Sequence, residues 1–168
     1  KAEVQMARRV THRNVCRVFD VGFHADATRG RTLEEAGPIP FFTMELLRGE
    51  TLRNRLRNLG PLPLPEAWSV LAQMVAALDA AHAAGVVHTD LKSENVMLVT
   101  DDGGTRVVIT DFGLARRFDG SAMLMHGGDP SIAGTVGYMA PERLDGSPPG
   151  PATDVYALGV VLYEMLTG

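Results

Sequence analysis

The sequence predicts an α+β chain, and three features carry that prediction. Runs rich in β-branched and aromatic residues occupy the first 47 positions, a long stretch of strong helix formers fills the middle, and a second apolar helical stretch closes the chain. At 168 residues it is one domain or a piece of a larger one, since domains commonly hold about 100–200 residues. Its 45% apolar content can supply a core, which argues against a disordered segment.

Residues 1 to 10 place Val4, Ala7 and Val10 at helical spacing among Gln5, Arg8 and Arg9, and read as the end of an amphipathic helix with no start signal before it. The native chain is therefore expected to extend upstream. Asn14 to Phe23 reads as a short strand, with Val15, Phe19 and Val21 on one parity and Cys16 and Val18 on the other. His24 to Pro40 is rich in polar residues and Gly and reads as a loop. Phe41 to Leu47, broken only by Thr43 and Glu45, reads as a strand of a hairpin.

Thr51 to Leu59 reads as a short helix ended by Gly60-Pro61-Leu62-Pro63, because proline cannot continue a helix interior. Pro65 to Ala84 is the strongest helix, with Trp68, Leu71, Met74, Val75 and Leu78 returning at three- and four-residue steps and Gly85 as its stop. Two apolar runs, Val96 to Val99 and Val107 to Ile109, are joined by the turn-forming Asp101-Asp102-Gly103-Gly104, which predicts a hairpin. A Gly-rich loop spans Gly113 to Tyr138. Ala152 to Leu166 is apolar nearly all round and reads as a buried central helix, which this chain cannot surround by itself.

Several function classes fall away. Sixteen Lys and Arg against 20 Asp and Glu give a net charge of −4, which argues against a nucleic-acid footprint. A single cysteine, Cys16, rules out a disulfide scaffold and suits a reducing compartment, so a cytoplasmic setting is expected, with a membrane tether outside this segment left open. No run is long and apolar enough to span a membrane. The histidines His12, His24, His82, His88 and His126 form no paired metal-ligand spacing.

The chemistry is concentrated in three ordered segments: Val87-His88-Thr89-Asp90-Leu91-Lys92-Ser93-Glu94-Asn95, Thr110-Asp111-Phe112-Gly113, and Gly134 through Tyr138 to Ala140-Pro141-Glu142. Asp90 lies 21 residues before Asp111, and Asp111 lies 31 before Glu142. Alone, Asp90, Lys92 and Glu94 could be a polar turn, and Asp111 a strand-ending turn. Together the three segments resemble the eukaryotic-type (Hanks-type) serine/threonine protein kinase family, whose order is a catalytic loop, a metal-binding Asp-Phe-Gly and an Ala-Pro-Glu segment.

The resemblance implies an incomplete two-lobe fold: a remnant of the small lobe and hinge over residues 1–47, and the large lobe over 48–168 up to its central helix. It implies transfer of the ATP γ-phosphate to Ser or Thr hydroxyls of protein substrates, with Mg²⁺, or Mn²⁺ in its place, offsetting the phosphate charge. Asp90 would accept the substrate hydroxyl's proton, Lys92 would sit near the γ-phosphate, Asn95 would hold one metal ion and Asp111 both. Thr135 resembles the threonine that contacts Asp90 and Lys92 in kinases acting on Ser and Thr. Glu3 resembles the glutamate that pairs with the ATP-positioning lysine, nine residues before a His12-Arg13-Asn14 turn. Met44 resembles the gatekeeper, Glu45, Leu46 and Leu47 the hinge, and Met97 the floor beneath the adenine.

Val18, His88 and Phe112, with Ala7, resemble the apolar stack between the lobes, and Gly113 completes the Asp-Phe-Gly. Asp154 resembles the buried acid that braces the catalytic loop. Glu142 would be buried, and unpaired for want of an arginine farther along. Thr89 stands where the family has the arginine that gathers activation-loop phosphate, so switching on is expected not to depend on that phosphate in the usual way. Ser131 and, less so, Ser121 remain candidate phosphosites.

The sequence contains neither Gly-x-Gly-x-x-Gly nor a strand lysine in a Val-Ala-x-Lys context, so the chain reads as a fragment that is inactive alone. The competing readings are a pseudokinase that binds or scaffolds and a small-molecule phosphotransferase. The intact Asp90, Lys92, Asn95 and Asp111 weigh against the first, and the segment from Gly134 to Glu142 against the second. Self-association or autophosphorylation is a further expectation. High Ala, Arg and Gly usage with little Lys, and the Gly49-Glu50-Thr51-Leu52 hinge exit, resemble bacterial members from high-GC genomes.

Overall fold

A computed structural model describes residues 10–24, 39–101, 104–112 and 137–168. The expected helix end at residues 1–9, the loop over 25–38 and the Gly-rich loop over 113–136 lie outside the described residues.

Two antiparallel sheets account for the strands. β1 (Val18–His24) pairs with β2 (Ile39–Met44) from Val18 opposite Met44 to His24 opposite Ile39, with an irregularity between Val18 and Asp20. The second sheet has the order β3 (Gly49–Thr51), β4 (Val96–Asp101), β5 (Gly104–Ile109). Both of the first two strands differ in their bounds from the expected Asn14–Phe23 and Phe41–Leu47. The first strand begins at Val18 because Val15 is engaged elsewhere, in an isolated parallel bridge with Ile109. The second ends at Met44, and Glu45 to Arg48 leave the sheet.

β3 was hidden in what reads as a hinge exit, and only its pairing with Met97 to Val99 makes it a strand. The hairpin of β4 and β5 forms with Val96 opposite Ile109 and Asp101 opposite Gly104. Val107, Val108 and Ile109 are all buried, so neither face of β5's end meets water.

Helix α1 (Leu52–Leu59) starts where Thr51 Oγ1 accepts the Asn54 N–H at 3.1 Å, which satisfies one orphan donor of the first turn. It stops at Gly60, whose φ of 75° only glycine adopts without strain and whose N–H returns to Leu56 O. Helix α2 (Leu64–Ala83) follows, with proline in its first turn. Its buried stripe is Ala67, Val70, Met74, Ala77, Leu78 and Ala81. Trp68 and Val75, expected on that stripe, are exposed. The period was right and the phase was set by the alanines, whose small side chains let α2 approach its neighbours closely where an indole could not.

A short helix, α3 (Pro141–Leu144), precedes helix α4 (Pro151–Thr167). At its start Thr153 Oγ1 accepts the Gly150 N–H while Gly150 O accepts the Thr153 N–H. α4 is not buried all round. Thr153, Asp154, Ala157, Val161 and Met165 are buried, and Val155, Tyr156, Tyr163 and Leu166 are exposed. Among the described residues the helix it packs against most is α2, and the face turned away from α2 and the loop is left uncovered. The core runs through Leu52, Leu56, Met74, Leu91, Ile109 and Met165 and joins α1, α2, α4 and the hairpin into one apolar cluster.

Main-chain bonds fix the turn ahead of β1 to this core. Cys16 N donates to Ile109 O and Ile109 N to Asn14 O, both at 2.8 Å. The Asn14 amide adds a 2.6 Å bond to Val107 O, and Gln73 on α2 accepts from Asn14 and from the Val107 N–H.

Candidate active site

Between α2 and β4 the chain forms a loop that its polar side chains fold back on itself. Asn95 is buried, and its amide nitrogen donates to Asp90 O at 2.8 Å. Lys92 Nζ donates to Asp90 Oδ2 at 2.8 Å. Residues Ser93–Asn95 form a single 3₁₀ turn closed by Asn95 N on Lys92 O at 3.0 Å. Asp90, Lys92 and Asn95 are thus brought together by bonds within six residues.

Asp111 is placed beside that loop through its neighbour. Thr110 N donates to Asn95 O at 2.9 Å, and the Thr110 hydroxyl reaches the same oxygen at 3.3 Å. Asp111 itself has a φ of 61° and is exposed. With its nitrogen bound to Asp90 O, the Asn95 amide keeps Oδ1 as its acceptor. An amide oxygen and a carboxylate, on residues tied together through the Thr110–Asn95 bonds, are hard oxygen ligands of the kind that suits Mg²⁺, so the donor set fits the expected metal ion.

His88 supports the loop from below. It is fully buried, its Nε2 lies 2.9 Å from Thr110 O and its Nδ1 lies 3.3 Å from Asp90 N. A carbonyl only accepts and an amide only donates, so Nε2 carries the hydrogen and Nδ1 is bare: the ring is neutral. Burial pushes its pKa down, in the same sense. Its ring lies 4.6 Å from that of Phe112 between centroids, tilted by 56°. Of the expected stack, His88 and Phe112 therefore touch, Val18 is half-buried in β1, and Ala7 lies outside the described residues.

The carboxylate of Asp154, at the start of α4, takes three donors. His88 N and His82 Nε2 reach Oδ2 at 2.8 and 2.7 Å, and Thr89 N reaches Oδ1 at 2.9 Å. His82 had no functional reading in the sequence. The available signal was a histidine in the last turn of an alanine-rich helix, six residues before His88. Thr89 is held at a φ of 71°, left-handed backbone that β-branched residues avoid.

The expected adenine region is partly assembled. Glu45 N donates to Arg17 O at 2.9 Å, while its carboxylate pairs with Arg106 at 2.9 Å, a partner absent from the sequence reading. Leu47 and Met97 pack on the small cluster of Cys16, Val99 and Val108. Burial first, and then Glu45, push the Cys16 thiol up to about 11, so it is an inert apolar residue there. Met44 is exposed at the end of β2, and Leu46 is the most exposed of these residues, at 81%.

Glu142 departs from expectation. It is half-buried, and it accepts the Thr153 hydroxyl at 3.1 Å, so no arginine is needed to spare it the cost of an unpaired buried charge. Glu3, Gly113, Ser121, Ser131 and Thr135 lie outside the described residues.

The profile of the protein kinase domain matches residues 1–168. The chain belongs to the protein kinase domain family. This kinase chain is 36% identical over 168 residues to Serine/threonine-protein kinase PknL of Mycobacterium tuberculosis, covering 100% of itself and 38% of PknL. It is 39% identical to Serine/threonine-protein kinase PknA of the same species, of which it covers 36%. The kinase chain therefore spans little more than a third of the length of these relatives. No helix among its described residues is long and apolar enough to cross a membrane.

Proposed function

We propose that the protein carrying this chain transfers the γ-phosphate of ATP to serine and threonine hydroxyls of protein substrates. The observation that carries the reading is the closed loop in which Asp90, Lys92 and Asn95 are bonded together, with Asp111 adjacent through Thr110. PknL and PknA, to which the chain is similar, are named serine/threonine-protein kinases.

Phosphoryl transfer asks the protein for position and charge more than for covalent chemistry. The Asp90 carboxylate accepts the proton of the incoming hydroxyl as its oxygen bonds to phosphorus and the bond to ADP breaks. Lys92, already on Asp90 Oδ2, places its ammonium where charge builds on the transferred group. Asn95 Oδ1 and the Asp111 carboxylate would hold Mg²⁺, or Mn²⁺, which supplies charge neutralisation on the phosphates when bound. Glu45, Leu46 and Leu47 would present backbone groups to the adenine between Met44 and Met97, Glu3 would position the phosphates through a lysine, and Thr135 would contact Asp90 and Lys92. His88, Phe112, Gly113, Glu142 and Asp154 would be structural. Ser131 and Ser121 are the proposed phosphosites, residues 1–47 the small-lobe and hinge portion, and the cytoplasm the compartment.

The test is transfer of labelled phosphate from ATP to a mixed Ser/Thr/Tyr protein substrate by the full-length protein, beside Asp90→Asn. Transfer to Ser and Thr should fall about 10²–10⁴-fold in the variant, the range for loss of a general base. Equal transfer by both proteins would overturn the assignment of Asp90.

A further inference from the structure

Beneath the Asp90–Asn95 loop lies a side-chain cluster that the transfer chemistry above does not use. Ser93 sits between Lys92 and Glu94 and is fully buried. Its hydroxyl donates to Glu164 Oε1 at 3.1 Å and lies 3.1 Å from the Tyr138 phenol oxygen. Tyr138 in turn donates to Glu164 Oε2 at 2.5 Å. Arg53 of α1 donates to Glu164 Oε1 at 2.6 Å, which balances the charge of a side chain only 13% exposed.

Three segments therefore converge on one carboxylate of α4: α1, the loop, and the stretch ahead of α3. Bonds to an ionised acceptor are the stronger kind, and a mostly dry site strengthens them further. Burial, and next the bond to Glu164, push the Tyr138 phenol up to about 12, so it remains a donor at physiological pH. The turn gives Ser93 its leverage. Asn95 N closes on Lys92 O across it, so fixing the Ser93 side chain fixes the direction of the residues on either side.

We propose that Ser93 is a positioning residue: its hydroxyl, hung from the Glu164 carboxylate that Tyr138 also holds, sets the turn carrying Lys92 and Asn95. The loop geometry thereby depends on a phenol 45 residues away in sequence. The effect on rate rests on the kinase activity proposed above, whereas the coupling of Tyr138 to the loop does not.

Two measurements on the full-length protein separate these. Amide hydrogen exchange over residues 90–95 is compared between wild type and Tyr138→Phe, which removes one oxygen at a half-buried site and keeps its volume. Exchange there should quicken several-fold. Steady-state kinetics then compare Ser93→Ala, Tyr138→Phe and the double variant. Each single change should lower kcat about tenfold with the KM for ATP unchanged, and the double should lose little more than the worse single, because both act through Glu164. Unchanged exchange in Tyr138→Phe overturns the coupling. Wild-type kcat with only a lowered Tm, additive losses, or a raised KM for ATP at constant kcat overturns the positioning role. Exchange that responds in a wild-type protein as inert as Asp90→Asn overturns the kinase reading and supports the coupling.

Discussion

His88 shows how much one buried residue commits. Its two ring nitrogens face a carbonyl and an amide N–H, so a proton added at Nδ1 would meet a donor and the bond to Asp90 N would be lost. The native pKa lies below the ordinary 6.5, so above that value the histidine costs nothing, and as pH falls below it the unfolded chain gains protons that the folded one refuses. Stability should therefore decline from about pH 6.5 downward toward the native pKa. Imidazole NMR across pH 5–8 checks this, and a His88 ring titrating at or above 6.5 would refute it. Thr89 makes the opposite kind of statement, about strain. Its left-handed backbone costs a branched residue about 1 kcal/mol or more. Asparagine tolerates that region, so Thr89→Asn should raise Tm by about 2–4 °C in a chain of this size, read by calorimetry. At this scale Asp90, Lys92, Asn95 and Asp111 were legible as candidates, because ordered motifs of fixed residue types at short spacing carry them. Ser93, Tyr138, Glu164 and His82 were not. Their partners lie 71, 45 and 72 residues away, and no local pattern records such a meeting.

Among the elements, helices announced themselves through propensity and stop signals, and α1, α2 and α4 stand within a residue or so of their expected ends. Their orientation was less legible. A hydrophobic period fixes how often a face recurs, and the partner decides which face is used. The phase of α2 followed its alanines, and Trp68 went to the outside. β3 illustrates the converse limit, since three residues carry no period at all. Its existence depends on how closely Gly49 lies on β4: a Cβ there would stand 2.1 Å from Leu98 O, a backbone atom that cannot turn aside. Gly49→Ala should separate β3 from β4 and destabilise the fold by about 1–3 kcal/mol, the range of overpacking. Urea unfolding measures it, and a midpoint equal to wild type would show that the strand edge yields freely.

For the whole molecule, two of the described helices carry exposed apolar side chains. Leu64, Trp68 and Val75 stand out from α2, and Val155, Tyr163 and Leu166 from α4. Exposed apolar patches of this kind drive association. The 168-residue chain should sediment above its monomer mass of 18.1 kDa as concentration rises, and a constant 18.1 kDa across the range would contradict this. The family was legible as a whole, since three ordered motifs specify it, yet the joints between elements were not. One of them has an implication for how this protein can change. The turn at Asn14 to Cys16 is joined to Ile109 largely by main-chain amides and carbonyls, which every residue but proline possesses in full. All three side chains are buried, so apolar substitutions of similar volume at 15, 16 and 109 can accumulate while the joint persists, and such divergence says little about divergence of shape.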